Sequence, residues 1–451
     1  MKKPPAPPSF QSLLSGIEKP EQMVRILNLK NGAQSSKHYL HWDRLRRYRP
    51  PAGHTSEEWW LALKMQRIGI LKPITLTDTK GKPFQFCVPE TVLENLHRID
   101  MKAGGTLGLP EKITNPQTRD QYLIRSLMEE AITSSQLEGA ATTREVAKEM
   151  IRSGRAPRDK DEQMIFNNYV TMQRITALKD HPLSPEMVFE IHRLVTDKSL
   201  DDSTAAGRFR TSEEKRVVGD QWGQEIYHEP PPAEELTNRL RLMCDFANAI
   251  SPDYFIHPVI RAIVLHFWLA YDHPFVDGNG RTARALFYWA MRREGYWLFE
   301  FISISTILRK APIKYGLSFL YTETDDNDLT YFIVAQTKVI DEACKELHNY
   351  VDRKTAELLE SESNIRALNL FNHRQVAIIR HALKHPYQQY TVEGHRNSHN
   401  IVYETARTDL LDLQKREVLE LRKKGKQMVF TVPNDLAGIL KKMGKKTAKS
   451  E

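Results

Sequence analysis

The chain has 451 residues, of which 40% are hydrophobic and 27% are charged. These proportions are typical of a globular protein, and they exclude collagen-like, low-complexity and largely disordered chains. No uninterrupted apolar run reaches the roughly 20 residues that a membrane-spanning helix needs, so no membrane partner is expected. The three cysteines are too widely spaced to predict a disulfide framework or a zinc site, and the N-terminus continues into prolines instead of an apolar segment. Both features predict a cytoplasmic protein.

The net charge of +8 is concentrated near the C-terminus. Residues 415–451 contain eleven Lys or Arg and four Asp or Glu, so they supply +7 of it and leave the preceding chain close to neutral. Such a basic segment can contact DNA or RNA, but a solvated tail has the same composition. We interpret residues 436–451 as a basic tail.

The first hundred residues differ in composition between their beginning and their end. Residues 1–35 are rich in Pro, Ser, Gln and Asn and show little periodicity, which predicts a flexible lead-in. Residues 36–115 predict an N-terminal α/β domain. In it, Thr55 and Glu58 have the spacing of a capping box, which opens a helix that extends to Ile70.

Alternating residues at 74–77 and 84–87 then predict a β-hairpin in the same domain.

Residues 116–325 are predicted to be almost entirely helical, because Leu, Ile, Met and Phe recur at spacings of three and four. The fold class is therefore mainly α. One β-hairpin, with strands at 216–219 and 224–228, interrupts the helices and must lean on them, since an isolated hairpin is marginally stable. Residues 326–364 predict a helical linker.

The C-terminal module, residues 365–435, predicts a helix at 365–384, short helices at 392–398, a helix at 402–413 and a hairpin with a basic turn at 424–426. It resembles a winged helix-turn-helix domain, in which the second of two adjacent helices and the hairpin contact DNA. Two uses stay open for it, namely DNA binding and protein contact as in a homodimer.

The segment from His273 to Arg284 carries the most chemistry. An apolar helix ends, a glycine-rich turn follows, and a second helix begins, so that free backbone N–H groups create an anion site. His273 can accept a proton from an attacking hydroxyl. The Asp277 carboxylate is a hard ligand for Mg²⁺ beside phosphates. Two arginines three residues apart on one helix face suit phosphate oxygens. The candidate residues are His273, Asp277, Gly278, Asn279, Gly280, Arg281 and Arg284.

This segment resembles the signature of the Fic family, His-Pro-Phe-x-Asp/Glu-Gly-Asn-Gly-Arg-x-x-Arg, and every fixed position is present. The upstream stretches 191–194, 207–210 and 257–262 also resemble the family, and the resemblance extends over about residues 120–320. It implies a Fic helical core with a small hairpin flap.

The resemblance also implies an activity, the transfer of AMP from ATP to a Ser, Thr or Tyr hydroxyl of a protein, with Mg²⁺ as cofactor. His273 would be the catalytic base, Asp277 the Mg²⁺ ligand and Gly278, Asn279 and Gly280 the cradle of the α- and β-phosphates. Arg281 would hold the β-phosphate and Arg284 the γ-phosphate. The flap residues Val217, Val218 and Ile226 would dock a segment of the target protein by strand addition.

A second motif precedes the core. The stretch from Ser134 to Gly139 ends a helix, which places Glu138 at the negative end of the helix dipole, where a carboxylate is mildly unfavourable. It resembles the inhibitory motif of Fic proteins, Ser/Thr-x-x-x-Glu-Gly/Asn. The resemblance implies that Glu138 pairs with Arg284 and keeps ATP from binding productively, and that the same Glu can assist removal of AMP.

Two alternatives remain beside an autoinhibited AMP transferase. One is a DNA-binding transcription regulator whose Fic core is a nucleotide sensor, although sensing does not need the general base His273. The other keeps an enzyme but changes the reaction to phosphoryl transfer or mainly to AMP removal. The identity of the target protein cannot be read from the sequence.

Overall fold

The computed structural model describes residues 2–29, 38–104, 116–219, 225–367, 371–385, 388–424, 427–433 and 435–447. The chain divides into two compact units, residues 1–347 and 348–451. Both are dominated by helices, which confirms the predicted mainly α fold.

The first unit contains two short hairpins among its helices, numbered here in chain order. Its elements are α1 (Phe10–Ser15), α2 (Pro20–Leu27), α3 (Trp42–Leu45), α4 (Ser56–Ile68), β1 (Lys72–Thr77), β2 (Pro83–Phe86), α5 (Glu90–Ile99), α6 (Pro116–Leu137), α7 (Arg144–Ser153), α8 (Lys160–Leu178), α9 (Pro185–Thr196), β3 (Val218–Gly219), β4 (Ile226–His228), α10 (Leu236–Ala247), α11 (Pro258–Asp272), α12 (Asn279–Arg293), α13 (Ile304–Lys310) and α14 (Pro312–Thr324).

The predicted flexible lead-in instead contains two helices, α1 and α2. The Ser9 side chain caps α1, and Pro20 occupies the first turn of α2, where its missing N–H costs nothing. Ile26 and Leu29 are buried in one cluster with Trp42, Trp59 and Trp60. The prediction relied on the polar composition of this segment and overlooked the few apolar side chains that pack against α4.

The hairpin β1–β2 and the capping box of α4 are confirmed. The helix, however, ends at Ile68, so Ile70 lies beyond it and is 58% exposed. Phe84 of β2 packs edge-on against Phe267 and Tyr271 of α11, with ring centroids 5.4 and 4.9 Å apart. Since the hairpin shares the core of the helical region, the predicted border at residue 115 does not separate two cores.

Helices α11 and α12 form the centre of this core. Between Val259 and Asp272 every residue of α11 except Ala270 is buried, as expected of a helix that is apolar on all sides. The buried face of α12 includes both arginines of the signature segment, Arg281 and Arg284. The loop between these two helices is therefore fixed by packing on both sides.

The long helix α15 (Thr330–Ala367) covers the predicted linker and extends past the division between the two units. The predicted helix 365–384 is therefore two pieces, the end of α15 and a new helix that starts at His373, where the Asn372 side chain forms a capping box with Gln375. A capping box marks the N-terminus of a helix, so a new helix begins here.

The second unit has a three-stranded antiparallel sheet in the order β5–β7–β6. The predicted turn residues Gly425 and Lys426 lie outside the described residues. The elements are α16 (His373–Lys384), β5 (Gln389–Thr391), α17 (Val392–His399), α18 (Tyr403–Lys415), β6 (Glu420–Lys424), β7 (Gln427–Thr431) and α19 (Leu436–Thr447).

The predicted basic tail differs from the structure, because its first twelve residues form α19. Leu436 and Leu440, one helical turn apart, are buried against Ile379, Leu410 and Phe430. The prediction followed the lysines and missed the apolar pair between them. In the part of the chain that the structure describes, no helix is long and apolar enough to cross a membrane.

Candidate active site

The loop from His273 to Gly278 joins the central helices α11 and α12. It leaves α11 through His273, which has a left-handed backbone with φ of 44°. The Asn279 side chain closes the loop: its Oδ1 accepts the Phe275 N–H at 2.9 Å, and its Nδ2 donates to the Phe275 carbonyl at 2.8 Å. The predicted nucleotide residue Asn279 therefore uses its amide group to hold the loop.

The end of α11 leaves one backbone carbonyl, that of Ala270, without its usual donor. The carbonyl of Ala270 would normally accept the N–H of residue 274, but Pro274 has none. The Ala270 backbone counteracts, in part, the lowering of the His273 pKa that burial causes. A neutral imidazole keeps the lone pair of one ring nitrogen, which is the state that a general base requires.

Burial lowers the pKa of His273 to about 4, and a nearby histidine, His228, contributes to the shift by its positive charge. The ring is therefore neutral at pH 7 in the nucleotide-free protein. A bound polyanion would raise this pKa again, because phosphate charges favour the protonated form.

Two glycines of the loop are required by their surroundings. Gly278 has φ of 80°, and a Cβ on it would lie 2.7 Å from Cγ2 of Thr196. A Cβ on Gly280 would lie 2.1 Å from Oε1 of Glu138. The Glu138 carboxylate thus lies directly against the first turn of α12, where backbone N–H groups attract anions.

Arg281 is fully buried and only partly satisfied. Its Nη1 donates to the Val195 carbonyl at 3.0 Å, whereas Nε and Nη2 have no hydrogen-bond partner among the described residues. The Asp277 carboxylate is 3.8 Å from Nη2, too far for a hydrogen bond. Burial lowers the pKa of Arg281, yet a guanidinium stays charged. Unpaired buried donors of this kind are costly and match an anionic ligand.

Arg284, by contrast, is fully engaged with the end of α6. Its Nε donates to Oγ of Ser134 at 2.8 Å, and its Nη2 donates to the Ser134 carbonyl at 3.0 Å and to Oε1 of Glu138 at 2.8 Å. Burial alone would lower the pKa of Arg284, but the charges of Glu138, Tyr315 and Glu130 and the hydrogen bond to Glu138 together outweigh it and leave the pKa raised. The contact between Glu138 and Arg284 that the family resemblance implied is present, and Ser134 belongs to it.

Asp277 is the predicted metal ligand, and its side chain is 50% exposed beside Arg281. Among the described residues there is no group of three or more His, Cys, Asp or Glu that could hold a metal. A single carboxylate still fits Mg²⁺, which keeps several waters and takes its other ligands from substrate phosphates.

Two residues that support the loop were noticed only as parts of the upstream stretches. The His192 ring stacks on Phe275 at 3.7 Å; its Nε2 is 2.9 Å from the Asp277 carbonyl, and its Nδ1 accepts the Gly207 N–H at 2.9 Å. Arg210 donates to the His273 carbonyl at 2.9 Å. Their partners are backbone atoms far along the chain, which no local pattern reveals.

The second hairpin, β3–β4, lies beside the loop, since Nε of Arg216 donates to the Val276 carbonyl at 3.0 Å. Its apolar residues Val217, Val218 and Ile226 are 53%, 37% and 45% exposed. The predicted turn at 220–223 lies outside the described residues. The exposed apolar side chains leave this hairpin accessible to a partner.

Part of the chain is similar in sequence to known proteins. Residues 182–291 match the model of the Fic/DOC family. A protein adenylyltransferase Fic of Nematostella vectensis is 32% identical over 136 residues, 30% of this chain and 28% of the relative. Protein adenylyltransferase fic-1 of Caenorhabditis elegans is 29% identical over 180 residues, 40% of this chain and 33% of the relative. The match thus spans about a third of these curated relatives.

The fold has a solved counterpart in a Fic family protein from Desulfovibrio desulfuricans G20. The two structures superpose with a TM-score of 0.53 at 18% identity, over 77% of this chain and 97% of the other. At this identity the likeness concerns the fold alone. Residues 182–291 of this chain are therefore similar in sequence to the Fic/DOC family, and the chain shares the fold of this protein.

Proposed function

We propose that this protein is an autoinhibited AMP transferase that moves AMP from ATP to a hydroxyl of a protein. The observation that carries the proposal is the pair of buried donors on Arg281 without a hydrogen-bond partner, which belong to the same loop and helix start as a neutral His273. A neutral base and cationic donors for phosphate in one short segment are what nucleotidyl transfer to a hydroxyl requires.

In the proposed reaction, the target oxygen attacks the α-phosphorus of ATP. A new P–O bond forms, the bond to the bridging oxygen of the β-phosphate breaks, and pyrophosphate leaves. The hydroxyl proton passes to a ring nitrogen of His273, which is neutral because burial lowers its pKa to about 4. The loop performs most of the catalysis by positioning, because it is fixed before the substrate binds.

The phosphates would lie against the backbone of Gly278, Asn279 and Gly280. Arg281 would bind the β-phosphate with Nε and Nη2, and Arg284 would bind the γ-phosphate when it is released from Glu138. Asp277 would hold Mg²⁺ together with the phosphates. The ion, when bound, neutralises the charge that develops on the leaving pyrophosphate.

Inhibition follows from the position of Glu138. Its carboxylate lies against Gly280 and bonds Arg284, so it occupies the space and the donor that a γ-phosphate would need. The same carboxylate is 31% exposed and could instead activate a water that removes AMP from a modified protein. The hairpin β3–β4 would present its exposed edge to an extended segment of the target.

The substitution Glu138→Ala tests the proposal. It frees Arg284 and the start of α12, so AMP incorporation from α-labelled ATP into the protein itself or into cell lysate should rise at least tenfold. The matched control is Glu145→Ala, which removes an exposed glutamate from α7 and should leave incorporation at the parent level.

Adding His273→Ala to Glu138→Ala should abolish incorporation, because the base is lost. Label from the γ-position of ATP in the protein would indicate phosphoryl transfer and would contradict AMP transfer. Faster loss of AMP from a modified protein with Glu138 present than without it would support the second, removing activity.

DNA binding is a second candidate function, and it concerns the C-terminal unit. The order of its elements, helix, strand, two helices and two strands, is that of winged helix-turn-helix domains, and Tyr403, Arg407 and Thr408 on α18 are exposed. The side chains of Arg422, Lys423 and Lys424 in the proposed wing lie outside the described residues.

The winged-helix proposal predicts that the full chain shifts DNA in a gel and that Arg407→Ala weakens the shift. No binding at low salt would leave contact between protein chains as the use of this unit. A dependence of the shift on ATP would favour the interpretation of the Fic domain as a nucleotide sensor.

A further inference from the structure

A second histidine, His228, joins three elements around the end of α11. It is the last residue of β4 and is 9% exposed. Its Nε2 lies 2.6 Å from the carbonyl oxygen of Tyr271 in α11, and its Nδ1 lies 2.7 Å from Oε2 of Glu323 in α14. The hairpin, the last turn of α11 and α14 are thereby connected through one ring.

The Tyr271 carbonyl receives no hydrogen bond from Phe275, and the structure of the loop explains why. In a continuing helix it would accept the N–H of Phe275, but that group donates to Oδ1 of Asn279. Carbonyls in the last turn of a helix need another donor, and a cationic donor there is favoured by the helix dipole. His228 provides that donor two residues before His273.

Both partners of His228 are acceptors, so both contacts require a ring that carries two protons. Burial alone would lower the pKa of His228, but the hydrogen bond and the charge of Glu323, the hydrogen bond to the Tyr271 carbonyl and the charge of Asp272 together outweigh it and leave the pKa raised. The other charged groups that face the ring are Asp272, which is paired with Arg239 at 2.7 Å, and His273 itself.

We propose that protonated His228 is a positioning residue, which fixes the last turn of α11 at the base of the hairpin and so holds the His273 ring ready to accept a proton. The inference rests on the proposed function. It means that transfer requires two histidines in opposite states, His228 with its extra proton and His273 without one. Paired groups whose surroundings drive their protonation apart are typical of acid–base sites.

The experiment is a histidine titration of the full-length protein by NMR, which does not depend on activity. His228 should titrate above the ordinary value of about 6.5, and His273 should show a second inflection at that same pH. Glu323→Gln should move the His228 midpoint down. A His228 midpoint at or below 6.5, or a His273 signal that is insensitive to His228, would overturn the proposal.

A second arm measures AMP incorporation against pH in the Glu138→Ala protein. The alkaline loss of activity should follow the His228 midpoint and should disappear in His228→Gln, where incorporation falls about tenfold at every pH. The control is His257→Gln, at the other end of α11, which should keep the alkaline limb. An unchanged limb in His228→Gln would reduce His228 to a structural role. If Glu138→Ala incorporates no AMP, the proposed function fails while the titration still decides the state of His228.

Discussion

Gly280 lies in the proposed phosphate cradle, and a methyl group added to it would enter the cradle directly. Its missing side chain leaves the first turn of α12 open, and the Glu138 carboxylate occupies that opening. Because a γ- or β-phosphate would approach the same backbone, Gly280→Ala should weaken ATP binding at least tenfold even when Glu138 is replaced by Ala. Calorimetry with ATP in the two single variants and the double variant measures this.

A matched control for Gly280→Ala is Gly69→Ala, which has an ordinary backbone and meets no atom closer than 3.9 Å. It should leave ATP binding unchanged. If Gly280→Ala bound ATP as tightly as its parent, the start of α12 would not be the cradle, and the role assigned to Gly278, Asn279 and Gly280 would be wrong.

Single residues were predictable where the chemistry lies within one short segment. The contact between Arg284 and Glu138 joins residues 146 positions apart, and only a second recognisable motif made it foreseeable. His192, Arg210 and His228 could not be assigned contacts from sequence, because each bonds a backbone carbonyl of the loop or of the last turn of α11. Every residue has a backbone carbonyl, so no sequence pattern indicates which carbonyls accept these hydrogen bonds.

At the scale of elements, strong local signals were reliable and composition was not. The capping box at Thr55 and the apolar helix α11 lie where the sequence predicts them. The segments 1–35 and 436–451 were judged by their polar or charged residues, although a few apolar side chains decide whether such a segment packs. Periodicity of a few buried residues is a weak signal when polar residues surround it.

Helix α19 provides the test at this scale. Leu440 is 2% exposed in the core of the second unit, so Leu440→Ala should lower the free energy of unfolding of this unit by about 2–4 kcal/mol. Urea unfolding followed by hydrogen exchange of the Leu410 and Phe430 amides reports on it. The neighbouring exposed Lys442→Ala should change it by less than about 0.5 kcal/mol. Equal effects of the two substitutions would restore the interpretation as a solvated tail.

For the whole molecule, buried histidines make the first unit sensitive to acid. Burial lowers the pKa of His41, His192 and His273 to about 4 and that of His266 to about 3. In the unfolded chain each would titrate near 6.5, so between pH 6.5 and 4 the unfolded state binds more protons. Stability is therefore complete above pH 6.5 and is lost as the pH falls. His228, whose pKa is raised, acts in the opposite direction and loses its contribution as the pH rises.

This loss of stability should be large enough to unfold the first unit in mild acid. A shift of about two pKa units is worth on the order of 2–3 kcal/mol per group, and four such groups together approach the roughly 5–15 kcal/mol that stabilise a folded domain. All seven tryptophans lie in the first unit, so their fluorescence in urea at pH 7.5, 6 and 5 follows this unit alone. The unfolding midpoint should fall steeply across this range, and His41→Gln, which removes one group far from the loop, should flatten the decline. A midpoint that stays constant down to pH 5 would mean that these rings accept protons without leaving their buried sites.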